Sequence, residues 1–134
     1  MKIKLSYIVS ILFIATISGC AHNTTPKQEE MYEKSAHLTK LTRKVQVAIN
    51  ANMSNPEDLY AYVSQKFPET MAFFLDYTIL MKNDNGFAVV LMCDKEQRKA
   101  LLEDTVCEAR VEGDNLYQSN LPCAFQLNIK SICK

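Results

Sequence analysis

Two β-prone runs joined by an Asn-Gly pair constrain this chain most. Tyr77-Thr78-Ile79-Leu80-Met81-Lys82 and Phe87-Ala88-Val89-Val90-Leu91-Met92-Cys93 flank Asn83-Asp84-Asn85-Gly86. Asn85-Gly86 predicts a tight hairpin, because both central turn positions need positive φ and these two residues accept it. The second run carries no charge, so it predicts a central strand buried on both faces.

Upstream, the period is helical. From Glu29 to Asn52, Met31, Leu38, Leu41, Val45 and Ala48 fall on one stripe with Ile49 beside it. Such a narrow stripe suits packing on a sheet or a partner helix. Glu29, Glu30 and Glu33 near the start, with Lys40, Arg43 and Lys44 later, suit the helix dipole. Asn55-Pro56-Glu57-Asp58 is a helix start: Asn caps, Pro fits the first position, and two acids occupy the first turn. Leu59, Tyr62 and Val63 form its inner face. Pro68 disfavours helix at Phe67 and ends it there. A short second piece then runs from Glu69 to Leu75.

Downstream, residues 94–104 admit two readings. Asp94 with Gln97 resembles a capping box opening a helix, which propensity favours. Alternatively, Asp94-Lys95-Glu96-Gln97 turns the chain, and Lys99-Ala100-Leu101-Leu102-Glu103 returns as a third strand. Short connections between neighbouring strands favour this hairpin, the preferred reading. Cys107–Val111 and Ala124–Ile129 read as further strands, with Phe125, Leu127 and Ile129 on one face. The expected fold is α+β: N-terminal helices packed on one face of a four- to five-stranded antiparallel sheet, a single domain over residues 29–134.

The chain begins Met1-Lys2-Ile3-Lys4, then runs uncharged from Leu5 to Ile17. A basic start, a short apolar run and small residues at its end predict an export signal. A membrane span would need about 20 apolar residues. The run closes on Ile17-Ser18-Gly19-Cys20, which resembles the lipobox of bacterial lipoproteins: an aliphatic residue, two small residues, then an obligatory cysteine. The resemblance covers residues 1–20 alone. It implies a signal peptide over 1–19, diacylglycerol transfer to the Cys20 thiol, cleavage before Cys20 and acylation of the new amine. One acyl chain binds a membrane marginally, whereas several hold firmly. In enteric-type bacteria an Asp after the lipidated cysteine resembles an inner-membrane retention signal. Ala21 stands there instead, pointing to a periplasm-facing anchor in the outer membrane, with the inner membrane as alternative. Residues 20–28 are polar and non-periodic, a tether reaching about 25–30 Å.

An exported chain meets an oxidising compartment, so Cys93, Cys107, Cys123 and Cys133 are expected to form two disulfides that staple the sheet. No close cysteine pair of zinc-site spacing occurs. Bridged Cα atoms must lie about 4.4–6.8 Å apart. Cys123 and Cys133 flank a strand extending about 23 Å, and Cys93 and Cys107 meet a similar obstacle. Two connectivities remain: Cys107–Cys123 with Cys93–Cys133, or Cys93–Cys123 with Cys107–Cys133. The first is preferred, since Cys107 and Cys123 bracket one strand-loop unit ending at Pro122.

Without Lys2 and Lys4, 13 basic side chains face 15 acidic ones, so no excess favours nucleic acid. The absence of Trp and the presence of only three Gly argue against carbohydrate platforms and phosphate loops. The only histidines are His22, in the tether, and His37, which reads as a surface or packing residue. Glu57-Asp58 and Glu103-Asp104 read as a helix start and a strand end rather than a general acid–base pair. Tyr60/Tyr62 and Phe73/Phe74 read as core and rim. Nucleotide and zinc-protease motifs are absent. The sequence therefore predicts no enzyme, no cofactor and no metal, but an anchored interaction protein. Its expected partners are the membrane, through the lipid, and another envelope protein, as an accessory subunit of a secretion, pilus or conjugation assembly. The alternative is an immunity protein or an inhibitor of a lysozyme-like hydrolase.

Overall fold

The computed structural model describes residues 26–107 and 120–133. Their order is α1 (Pro26–Asn50), α2 (Pro56–Lys66), α3 (Pro68–Met71), a 3-10 turn (Ala72–Phe74), β1 (Tyr77–Asp84), β2 (Phe87–Asp94), β3 (Ala100–Thr105) and α4, the short Ile129–Ile132. Helix α1 begins at Pro26, so residues 26–28 belong to it rather than to a tether. It ends in a left-handed Asn52 (φ 67°), with Met53 N–H donating to Ala48 O at 3.2 Å and closing the last carbonyls. Asn55 caps α2 as expected, its Oδ1 accepting from the N–H groups of Glu57 (2.8 Å) and Asp58 (3.2 Å).

The hairpin forms in the expected place. β1 and β2 pair antiparallel from Tyr77↔Asp94 to Asp84↔Phe87. Asn85 and Gly86 take φ of 55° and 88°, and Gly86 N–H donates to Asn83 Oδ1 at 2.8 Å. A Cβ added at Gly86 would meet nothing within 4 Å, so only backbone strain opposes a side chain there. Gly86→Ala should therefore cost about 1–2 kcal/mol, read as a lower urea midpoint with an unchanged slope.

β2 is central in a sheet ordered β1-β2-β3, and Ala88 through Cys93 are fully buried. Alternation sends Ala88, Val90 and Met92 to one face, where they meet Leu38, Leu41 and Val45 of α1 and Leu59 and Val63 of α2. Leu91 and Cys93 point the other way, with Leu80 and Ala100, and are covered by Leu121, Cys123 and Phe125. The helices thus bury one face and the C-terminal segment the other.

Residues 94–99 form a turn, not a helix. Asp94 Oδ1 accepts from the N–H groups of Arg98 (2.6 Å) and Lys99 (2.9 Å), and Asp94 N–H donates to Lys99 O at 3.1 Å. The Lys99 and Arg98 N–H groups hold the Asp94 carboxyl below the usual carboxylate range. β3 follows with a bulge: Met92 faces Leu102 while Cys93 faces Ala100. The extra residue, Leu101, joins the helix-side core, against which Leu102 also packs.

Among the described residues the sheet has three strands, not four or five. The expected strand at 124–129 is irregular chain that tightens into α4. Its alternation is real but serves to cover a sheet face. Phe125 packs on that face, with Lys82 Nζ 4.7 Å from its ring. The N–H groups of Gln126 (2.7 Å) and Leu127 (3.2 Å) donate to the Glu103 carboxylate instead of to a neighbouring strand. Of the expected strand Cys107–Val111, Cys107 lies beyond β3 in a bend, and residues 108–111 lie outside the described residues.

The disulfides are Cys93–Cys123 (Cα–Cα 5.7 Å) and Cys107–Cys133 (Cα–Cα 5.3 Å). This corrects the preferred pairing Cys107–Cys123 with Cys93–Cys133. The cause is the direction of the C-terminal segment. Ala100 N–H donates to Leu121 O (2.9 Å) and Cys123 N–H to Arg98 O (3.3 Å), around an antiparallel Lys99↔Pro122 bridge. Cys123 therefore sits beside Ala100, the cross-strand neighbour of Cys93. Running antiparallel to β3, the segment reaches Cys133 near Cys107 at the other end. The preferred pairing needs the opposite direction.

Candidate functional site

Cys20, the expected lipidation site, lies outside the described residues, as does His22. The remaining candidates fall into separate places. Glu57 and Asp58 occupy the exposed first turn of α2. Glu103 and Asp104 project to opposite faces of β3. Glu103 holds the C-terminal segment, and burial pushes its carboxyl up against the opposing Gln126 and Leu127 N–H groups. Asp104 faces α1, and burial pushes it up as well. Adjacent in sequence, the two acids cannot share a proton or a substrate. Tyr62 packs edge-on to Phe67 with ring centres 6.4 Å apart, while Tyr60 is exposed. Beside Tyr62, an open groove of about 790 Å³ is lined by Asn52, Met53, Asp58, Ser64 and Gln65.

One cluster was not anticipated from sequence. His37 stacks on Phe73 with ring centroids 3.5 Å apart, and its Nε2 lies 3.9 Å from Glu33 Oε1. Lys34 Nζ donates to Phe73 O at 2.6 Å and sits 5.5 Å from the Tyr77 ring. Tyr77 donates its hydroxyl to Glu30 Oε1. Burial first, then that carboxylate, raises the phenol's pKa well above its usual value. These contacts tie the N-terminal half of α1 to the 3-10 turn and the start of β1. The available signal was Glu30, Lys34 and His37 recurring at helical spacing along one flank of the apolar stripe.

At this end of α1, Leu75 is 78% exposed and Phe73 41%, so the tip of the 72–76 turn carries exposed apolar surface. Within this cluster His37 packs against Phe73. Among the described residues, no three His, Cys, Asp or Glu side chains gather as a metal site. No described helix is long and apolar enough to cross a membrane. The chain matches no protein-family model, no curated protein and no solved structure in comparisons with each.

Proposed function

We propose that this protein is a lipid-anchored envelope protein, held by Cys20 in the outer membrane facing the periplasm. Its domain acts there as an accessory interaction subunit of a secretion, pilus or conjugation assembly. The observation that carries the reading is Ile17-Ser18-Gly19-Cys20 closing an uncharged run behind a basic start. Three features support it. Two disulfides suit an oxidising compartment. Helix α1 starts at Pro26, so residues 20–25 allow a reach of only about 20 Å and keep the domain close to its lipid. Leu75 and Phe73 expose apolar surface beside the half of α1 from which the chain leads back to Cys20. The separation of Glu103 from Asp104 and the packing of His37 favour a binding role over catalysis.

The test is affinity capture from detergent-solubilised envelope, with the mature protein and a Leu75→Glu variant as baits. A set of membrane subunits retained by the first bait and lost by the second is the expected result. A single soluble toxin or hydrolase would favour the immunity or inhibitor role instead. Recovery of nothing would count against both.

A further inference from the structure

The two disulfides cross in sequence. Cys93 pairs with Cys123 and Cys107 with Cys133, so the second bridge begins inside the loop closed by the first and ends beyond it. They close separations of 30 and 26 residues. Neighbouring cysteines stand closer: Cys93 and Cys107 are 14 residues apart, and Cys123 and Cys133 are 10 apart. In an unfolded chain short loops close more readily, with a three-halves-power dependence on length. That favours Cys93–Cys107 over Cys93–Cys123 about threefold, and Cys123–Cys133 over Cys107–Cys133 about fourfold. Order of arrival acts in the same direction, since a chain exported from its N-terminus presents Cys93 and Cys107 before Cys123.

The neighbouring pairs are incompatible with the fold. Cys93 faces Ala100 at one end of β3, and Cys107 follows Thr105 at the other. The strand between them extends about 17 Å, whereas bridged Cα atoms lie about 4.4–6.8 Å apart. Cys123 lies 5.7 Å from Cys93 and Cys133 lies 5.3 Å from Cys107, so these two are also held at opposite ends. With Cys20 lipidated, a chain oxidised as Cys93–Cys107 and Cys123–Cys133 has no thiol left to correct itself, and it cannot adopt the β2–β3 register.

We propose that this protein is a client of a thiol–disulfide isomerase, a reduced dithiol protein that exchanges the neighbouring bonds for the crossed pair. The compartment of that encounter rests on the export signal proposed for residues 1–19. A disulfide donor first takes two electrons and two protons from each neighbouring thiol pair. The isomerase thiolate then attacks Cys107 Sγ, forming a mixed disulfide and expelling Cys93 as a thiolate. Cys93 attacks Cys123 Sγ, closing Cys93–Cys123 and expelling Cys133. Cys133 attacks Cys107 Sγ, closing Cys107–Cys133 and returning the isomerase thiolate. The cycle neither gains nor loses electrons. The fold supplies its end point: Cys93 is fully buried, which closes its bond to an attacking thiol.

The experiment starts from purified mature lipoprotein, unfolded and reduced in denaturant with detergent. It is diluted into a strongly oxidising dithiol–disulfide protein, alone or with a reduced disulfide isomerase. Pairing is followed by acid quench, thiol alkylation and non-reducing peptide mapping. With oxidant alone, Cys93–Cys107 and Cys123–Cys133 should dominate the early bonds, and the crossed pair should remain a minority. Isomerase should raise the yield of the crossed pair several-fold. In a Cys107→Ala/Cys133→Ala variant the two remaining distal cysteines can form only the native bond, folded or not, so isomerase should change neither its rate nor its yield. Formation of the crossed pair alike with and without isomerase would overturn the proposal, as would equal dependence on isomerase in the variant. A Cys20 without lipid in the same map would count against the anchor and not against the pairing chemistry, which a Cys20→Ser chain then tests in the same way.

Discussion

Replacing Cys93 and Cys123 together by alanine should lower unfolding free energy by about 3–4 kcal/mol. That bridge closes a separation of 30 residues, and the chain-entropy estimate grows with loop length. The change should appear as a fall in thermal midpoint of roughly 12–25 °C and as a lower urea midpoint under non-reducing conditions. The loss has a structural counterpart. Cys93 is fully buried on the sheet face that lacks helices, and its partner pins the segment that covers that face. Without the bridge, that cover depends on the hydrogen bonds around the Lys99↔Pro122 bridge, the two N–H groups donated to Glu103, Phe125 packing and the second disulfide. Amides near Leu80 and Leu91 should then lose protection before those beneath the helices. A midpoint shift of only a few degrees, with the same protection pattern, would show that packing rather than the bridge seats the segment.

The second large effect concerns the anchor. Exported behind an ordinary cleavable signal, the mature chain carrying Cys20→Ser should move entirely from the membrane to the soluble periplasmic fraction. Each buried CH₂ of an acyl chain contributes about 0.8 kcal/mol, so removing several chains removes essentially all membrane affinity. No described helix offers a replacement span. Continued sedimentation with membranes would mean that the domain itself holds the bilayer, or a protein within it, without the lipid.

The parts of the fold legible in the sequence are those decided locally. Asn85-Gly86 announces its turn because the φ values it needs are properties of those two residues. Phe87–Cys93 announces a central strand because a run without charge has no side that water would favour. The α1 stripe of Met31, Leu38, Leu41, Val45 and Ala48 all reaches the core. The misread parts depend on partners far along the chain. Alternation at Phe125, Leu127 and Ile129 says that one side is apolar, but not whether that side meets a sheet edge or a sheet face. The Glu103 carboxylate, 23 and 24 residues away, helps decide it by taking the Gln126 and Leu127 N–H groups. The disulfide pairing turned on the direction of that same segment. Geometry had reduced three connectivities to two, and only the Lys99↔Pro122 bridge separated them. The bulge between Met92 and Cys93 likewise left no mark in the sequence beyond the paired leucines 101 and 102.

The candidate site divides in the same way. The Cys20 expectation rests on a linear motif alone, and Cys20 lies outside the described residues. The Glu30–Tyr77 and His37–Phe73 contacts were not legible, because each joins α1 to residues more than thirty positions away. The structure adds an exposed apolar tip at Phe73 and Leu75.

The central claim is that Cys20 is the lipid-bearing first residue of the mature protein. Mass spectrometry of the N-terminal peptide from membrane-fraction protein tests it most directly. The account predicts a peptide that begins at Cys20 and carries both a thioether-linked diacylglycerol and an N-acyl chain. A peptide beginning at Met1, or one in which Cys20 is unmodified, would contradict it.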